Sequence, residues 1–202
     1  ALRVHAEMVE DAETKTGITA SLDEMQDMVE ATLAYARGVG QDEALQRTEI
    51  GAFLTDIRDA THGALDVRPG PEAIVQIKPK ALRRALRNLI DNAGRYGRNP
   101  TLTWGVSDES IEILVEDDGP GIPDDRLRDV FQPFLRLEES RSRETGGHGL
   151  GLSIARSIVL QHGGAITLSN RAEGGLCARI VLPVTADQAA MTSPSEHPEA
   201  RA

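Results

Sequence analysis

Cysteine is almost missing from this chain. Cys177 is the one among 202 residues, which excludes an intrachain disulfide and a cysteine metal cluster and makes a reducing cytoplasm the expected setting. Basic residues are in the minority, with Lys+Arg 22 against Asp+Glu 32 and a net charge of -10. That balance argues against non-specific binding of nucleic acid or of an anionic membrane as the main activity, so any phosphate site must be local. Long apolar runs are lacking too. None approaches the roughly 20 residues that span a bilayer, and nothing resembles a signal peptide. The first residue is Ala1, so the chain is expected to be a piece of a longer protein.

What is present, 40% hydrophobic and 27% charged residues, suits one globular domain with an appendage. The most informative stretch runs from Lys80 to Gly97. Leu82, Ala85, Leu86, Leu89, Ile90 and Ala93 recur there at i, i+3, i+4, i+7 and i+8, the apolar stripe of a helix lying on a sheet. Asn88, Asn92 and Arg95 fall on a second stripe. Asparagine is a mediocre helix former, and two of them one turn apart beside an arginine suggest amide oxygens offered to a hard cation and a guanidinium offered to anionic oxygen. Taken alone, the pair also fits a solvated helix face.

Upstream, residues 1–37 are helical in pattern with a break near Thr14 to Gly17, and Leu22, Met25, Val29, Thr32 and Ala36 form the seam of a bundle. Residues 1–43 hold ten acidic and three basic residues, and Gly38-Val39-Gly40 marks a hinge where this composition ends. Beyond it, a short helix is expected around Ile50 to Ile57. Strands are expected near Leu65 to Arg68, Ala73 to Ile77, Leu102 to Val106, Ile111 to Glu116, Ala165 to Ser169 and Cys177 to Leu182, with a second strong helix over Gly149 to His162. From Asp187 the chain is Pro, Ser, Ala and Glu without periodicity, the composition of a disordered tail. The expected organisation is a helical hairpin over 1–40, an α+β domain over 41–186 and a tail over 187–202.

Two glycine-rich stretches carry the chemistry. Glu116 to Pro123 follows a β-branched strand directly, so Asp117 emerges at a strand end, where its carboxylate can accept from an exocyclic amine of a base. The Asp-Gly and Pro-Gly dipeptides equally fit an acidic turn. Gly146 to Leu152 opens the second helix with glycines whose N–H groups and positive dipole end favour an anion, and the charged, aperiodic stretch from Arg136 to Thr145 before it has the pattern of a lid.

Together these stretches resemble the ATP-binding domain of two-component sensor histidine kinases, over nearly everything from Glu43 to Val184. NLIDNAGRYG is similar to that family's N box, DDGPGIP to its first glycine box, FQPF to its F box and GGHGLGL to its second glycine box, in the family's order. The resemblance implies a Bergerat-type two-layer α/β sandwich, with a mixed sheet covered on one face by helices. It implies ATP and Mg²⁺ as ligands, with Asn92 on the metal and Asn88 supporting the metal-phosphate cluster as the two catalytic residues. Asp117 would read the adenine amine, Gly119 and Gly121 would shape the base pocket, and Arg95, Tyr96 and Ile122 would be further cofactor-binding residues. Arg136, Gly147, His148, Gly149, Leu150 and Gly151 would contact the nucleotide from the lid and second glycine box. His148 stands where the family often has threonine or serine.

Residues 1–37 are similar to the later part of the family's dimerisation hairpin, which implies a homodimer, a response-regulator receiver domain as partner and a membrane anchor upstream of a cytoplasmic core. The family's acceptor box is not matched at His5, His62, His148, His162 or His197. His5 fits a bundle seam, so the acceptor is expected upstream of Ala1. Heat-shock chaperones and mismatch-repair ATPases share the nucleotide fold, but use a glutamate four residues before the metal asparagine to activate water. Asn88 occupies that position here. A non-catalytic ATP-binding scaffold and an anti-sigma serine kinase are the other readings; the intact glycine boxes speak against the first and the helical hairpin against the second.

Overall fold

The computed structural model describes residues 11, 14, 18, 43–61, 64–107, 109–135, 137 and 149–184. The hairpin over 1–40, apart from three positions, and the tail over 187–202 lie outside the described residues.

Within the described part, three helices and seven strands form an α+β unit. Strand β1 (Gln46–Glu49) leads into α1 (Ile50–Ala60), then come β2 (Asp66–Val67), β3 (Ile74–Ile77), α2 (Pro79–Tyr96), β4 (Thr101–Val106), β5 (Ser110–Glu116), α3 (Gly151–Gln161), β6 (Ala165–Asn170) and β7 (Leu176–Pro183). A 3₁₀ turn at Asp129–Phe131 stands between β5 and α3. The main sheet has the order β2-β4-β5-β7-β6. It is mixed, because β2 runs parallel to β4 while the other ladders are antiparallel.

The layering follows from the pleat. Ile111, Ile113 and Val115 on β5 and Ala178, Ile180 and Leu182 on β7 are buried at alternate positions, so one sheet face is apolar. Onto it pack Leu82, Ala85, Leu86, Leu89, Ile90 and Ala93 of α2 and Ile154, Ala155, Ile158 and Val159 of α3. The other face is mixed, with half-buried Leu114 and Val181 beside Glu112 and Arg179, and it carries the Arg179–Glu112 ion pair across β7 and β5. A sheet covered on one face by helices is therefore what the chain forms, as expected. Among the described residues, no helix is long and apolar enough to cross a membrane.

Two details differ from the sequence reading, and a third was not part of it. Gln46–Glu49 forms a strand that pairs with β3 as a separate two-stranded ladder, with Gln46 opposite Ile77 and Glu49 opposite Ile74. Its four residues show no apolar alternation, so only the backbone partner defines it. The second helix starts at Gly151, not Gly149, since Gly149 has φ 68 and Leu150 is the cap. The start of α2 is not capped by its own sequence either: Lys78 offers no side-chain bond, and the first turn has no acidic residue. Glu43 supplies the cap from 37 residues upstream, accepting from Lys80 N and Ala81 N at 2.9 Å each.

Candidate nucleotide site

Helix α2 forms the spine of the site. At its C-terminal end Gly97 lies against Asp117 so closely that a Cβ there would stand 2.5 Å from the Asp117 Cβ. Five residues earlier, about 7 Å along the helix axis, Asn92 faces the start of α3. A Cβ on Gly151 would lie 3.7 Å from the Asn88 Cβ and 3.9 Å from the Asn92 Oδ1. One helix therefore touches the strand-end carboxylate at one end and the glycine-opened helix at its middle. Three motifs distant in sequence meet on it.

At the carboxylate end, Asp117 follows β5 and is only 7% exposed. Its Oδ1 accepts from Gly119 N at 2.8 Å and from Leu176 N at 3.3 Å. The other oxygen, Oδ2, accepts no bond from the described residues, which leaves an acceptor for a ligand amine. Gly119 stands beside Gly97 and the Tyr96 carbonyl, while Tyr96 itself is exposed at the end of α2. Arg95 lies in the last turn of α2, where a cation suits the helix dipole.

At the other end, Asn88 is half-buried and its Nδ2 is buried without a hydrogen-bond partner. A buried donor left unpaired costs about 1–3 kcal/mol, and an oxygen acceptor brought by a ligand or by water would satisfy it. Asn92 is half-buried as well, beside the bare backbone of Gly151. Among the described residues no cluster of three His, Cys, Asp or Glu could hold a metal ion alone. The oxygen of Asn92 fits Mg²⁺ nonetheless, since that ion takes few protein ligands and completes its shell with phosphate oxygens and water.

The F-box segment braces the start of α3. Phe134 N donates to Gly149 O at 2.9 Å, and the Arg156 guanidinium lies 5.5 Å from the Phe131 ring centre. Leu150 is buried in the core, and its carbonyl accepts from Ser153 Oγ and Ile154 N. Its side chain is thereby a core anchor, and only its backbone borders the site. Arg136, Gly147 and His148 lie outside the described residues.

Sequence reasoning missed a second layer. Asn170, at the end of β6, accepts from Ile122 N at 2.9 Å and donates to Ile122 O at 2.7 Å and Asp124 Oδ1 at 2.8 Å, fixing the first glycine box around Gly121. Arg171 Nη1 donates to the Asp117 carbonyl and to Asp118 Oδ1, both at 2.8 Å, and its Nε lies 3.3 Å from Glu116 Oε1. The Asn-Arg pair followed by Gly174-Gly175 marks a turn that could have drawn attention to these residues.

Hydrogen bonds from Asn99 and Arg171 hold the Asp118 carboxyl below its ordinary range, and Asp118 in turn raises the Arg171 guanidinium. A lowered carboxyl contributes stability that is fully present above its unfolded value and is lost as pH falls through the folded one. Asp118→Asn is therefore expected to lower the melting temperature at pH 7, and the gap should close as pH falls below about 4. Thermal scans by circular dichroism at both ends of that window check it; a gap independent of pH would contradict the linkage. Cys177, on β7, has its thiol pushed up by burial, which makes it a poor nucleophile.

The fold and the two-ended helix bring a strand-end carboxylate and a glycine-opened helix start onto one platform, the arrangement of a candidate nucleotide-binding domain. Residues 77–186 match the family described as Histidine kinase-, DNA gyrase B-, and HSP90-like ATPase, and the chain belongs to that family. Over 184 residues it is 35% identical to the sensor histidine kinase GtrS of Pseudomonas aeruginosa, a match covering 90% of this chain and 38% of that protein. The sensor histidine kinase CpxA of Escherichia coli is 42% identical over 117 residues, 57% of this chain and 25% of CpxA. The solved histidine kinase domain of the E. coli osmosensor EnvZ is 29% identical with a TM-score of 0.56, covering 81% of this chain and 100% of that domain. The chain thus spans well under half the length of the curated relatives it matches.

Proposed function

We propose that the chain is the nucleotide-binding kinase core of a sensor histidine kinase. It holds Mg-ATP along α2 and passes the γ-phosphoryl group to a histidine, for relay to an aspartate of a response-regulator receiver domain. The observation that carries this reading is the double contact of α2, with Gly97 against Asp117 and with Asn88 and Asn92 against Gly151. Asp117 Oδ2 would accept the adenine amine, the orphan Asn88 Nδ2 would donate to a phosphate oxygen, and Asn92 Oδ1 would hold the metal. Bound Mg²⁺ supplies neutralisation of the phosphate charge. The protein contributes position more than covalent chemistry. Arg136, Gly147, His148 and Gly149 would close over the phosphates, while Tyr96, Gly119, Gly121 and Ile122 would line the base end. The relatives' names support the transfer, and Asn88, standing where the related ATPases have a water-activating glutamate, disfavours rapid hydrolysis. A homodimer through residues 1–40, in the cytoplasm below a membrane anchor, completes the proposal.

Transfer is tested by incubating the chain with γ-labelled ATP and magnesium beside a separately supplied hairpin bearing an acceptor histidine. Acid-labile, base-stable label on the hairpin is expected. Nucleotide binding without any label on it would sink the kinase reading. The metal assignment has its own check in Asn92→Ala. Alanine is the better helix former, so the fold should survive and only the magnesium dependence of ATP affinity should vanish. Titration of the variant with ATP, with and without magnesium, decides it: the parent's response to the metal would show that Asn92 is not the ligand.

A further inference from the structure

An open groove of about 330 Å³ runs along the N-terminal half of α2, lined by Lys80, Arg83, Arg84, Arg87, Asn88 and Asp91. Four cations on one helix stripe are unexpected in a chain of net charge -10. At i,i+3 and i,i+4 spacing they repel one another by roughly 0.2–0.5 kcal/mol per pair, so the row calls for a counter-charge. The fold supplies little. Arg83 lies over the Phe53 ring at 5.1 Å, with Asp56 at 3.7 Å, while Arg84 and Arg87 have no carboxylate partner among the described residues.

Chain continuity and charge name the occupant. The carboxylate of Glu43 is bound to Lys80 N and Ala81 N, so the chain preceding it is delivered to the head of the basic row. Residues 1–42 hold nine acidic and three basic residues. In the stretch with the bundle seam, Asp23, Asp27 and Glu30 recur at 0, 4 and 7, the same spacing as Lys80, Arg84 and Arg87. On a helix this acidic stripe falls opposite the Leu22, Met25 and Val29 seam, so it stays available when the seam is packed. We propose that the basic row of α2 is the docking surface for the acidic stripe Asp23, Asp27 and Glu30 of the same chain. The groove that this stripe would occupy is also lined by Asn88. The inference does not rest on the nucleotide reading, and its test uses no nucleotide.

The sequence has three lysines, Lys15, Lys78 and Lys80, which makes zero-length carbodiimide coupling of amines to carboxylates selective. In the full chain at low salt, Lys80 is expected to couple to Asp23, Asp27 or Glu30 within one chain, as read by peptide mass spectrometry on a mixture of light and heavy isotope-labelled protein. The product should disappear in about 1 M salt, where the Debye length is about 3 Å, and in Arg84→Glu/Arg87→Glu. Adding Asp27→Lys/Glu30→Lys to that double variant should bring back the Lys80–Asp23 product, which a misfolded protein could not do. Coupling of Lys80 to Glu43 or Asp91 alone overturns the docking surface. So does a product insensitive to salt and charge reversal, or one formed solely between differently labelled chains.

Discussion

Asp117→Asn should weaken ATP binding by about 10- to 150-fold, the equivalent of a charge-assisted hydrogen bond of about 1.5–3 kcal/mol, while leaving the fold in place. The structure explains why the two effects separate. Oδ1 holds the protein together here, accepting from Gly119 N and Leu176 N, and an asparagine can keep its oxygen on that side. Its amide NH₂ then takes the place of Oδ2, and a donor meets the exocyclic amine where an acceptor stood. Guanine carries a carbonyl at the corresponding position, so the variant should lose its preference for ATP over GTP more than its affinity for phosphate. Titration with a fluorescent ATP analogue, competed by ATP and GTP, measures both quantities. Unchanged ATP affinity in a variant with the parent's melting temperature would remove Asp117 from the base site.

Much of this arrangement was legible in the sequence, because each motif sits at an element boundary that local rules define. The stripe from Leu82 to Ala93 defined α2, the β-branched run before Asp117 defined the strand end, and the glycines before Leu152 defined the start of α3. None of those local rules states that Gly97 must lie against Asp117, or Gly151 against Asn88. Those approaches depend on how α2 and α3 share one face of the sheet. The supports were less legible still. Glu43 caps a helix 37 residues away, Asn170 ties down Ile122 from 48 residues away, and Arg171 reaches the Asp117 carbonyl across 54. Nothing in the local pattern of a glutamate, an asparagine or an arginine announces such a partner. The strand Gln46–Glu49 was hidden for the same reason, since its pairing with β3 is the whole of its definition.

The turn from β6 to β7 is where such a long-range support has its largest expected consequence. Gly174 and Gly175 both have left-handed backbones, with φ 94 and φ 95, but their surroundings differ. A Cβ on Gly174 meets nothing within 4 Å, whereas one on Gly175 overlaps the Asp117 carbonyl oxygen and stands 2.8 Å from the Asp117 carbonyl carbon and 3.0 Å from the Asp118 Cα. Those are backbone atoms, so no rotamer change relieves the overlap, and the same carbonyl is held by Arg171 Nη1. Gly174→Ala should therefore cost only the backbone strain, about 1–3 kcal/mol. Gly175→Ala adds overpacking of a further 1–3 kcal/mol or so, which together lowers the melting temperature by something of order 10 °C at about 2–4 °C per kcal/mol. Relief of the overlap must displace the Asp117 backbone, and its carboxylate with it, so ATP affinity should fall in Gly175→Ala and hold in Gly174→Ala. Melting curves and ATP titrations on the two variants side by side read both effects. Equal destabilisation of the pair, or an affinity in Gly175→Ala that matches the parent, would mean that this turn does not position the carboxylate.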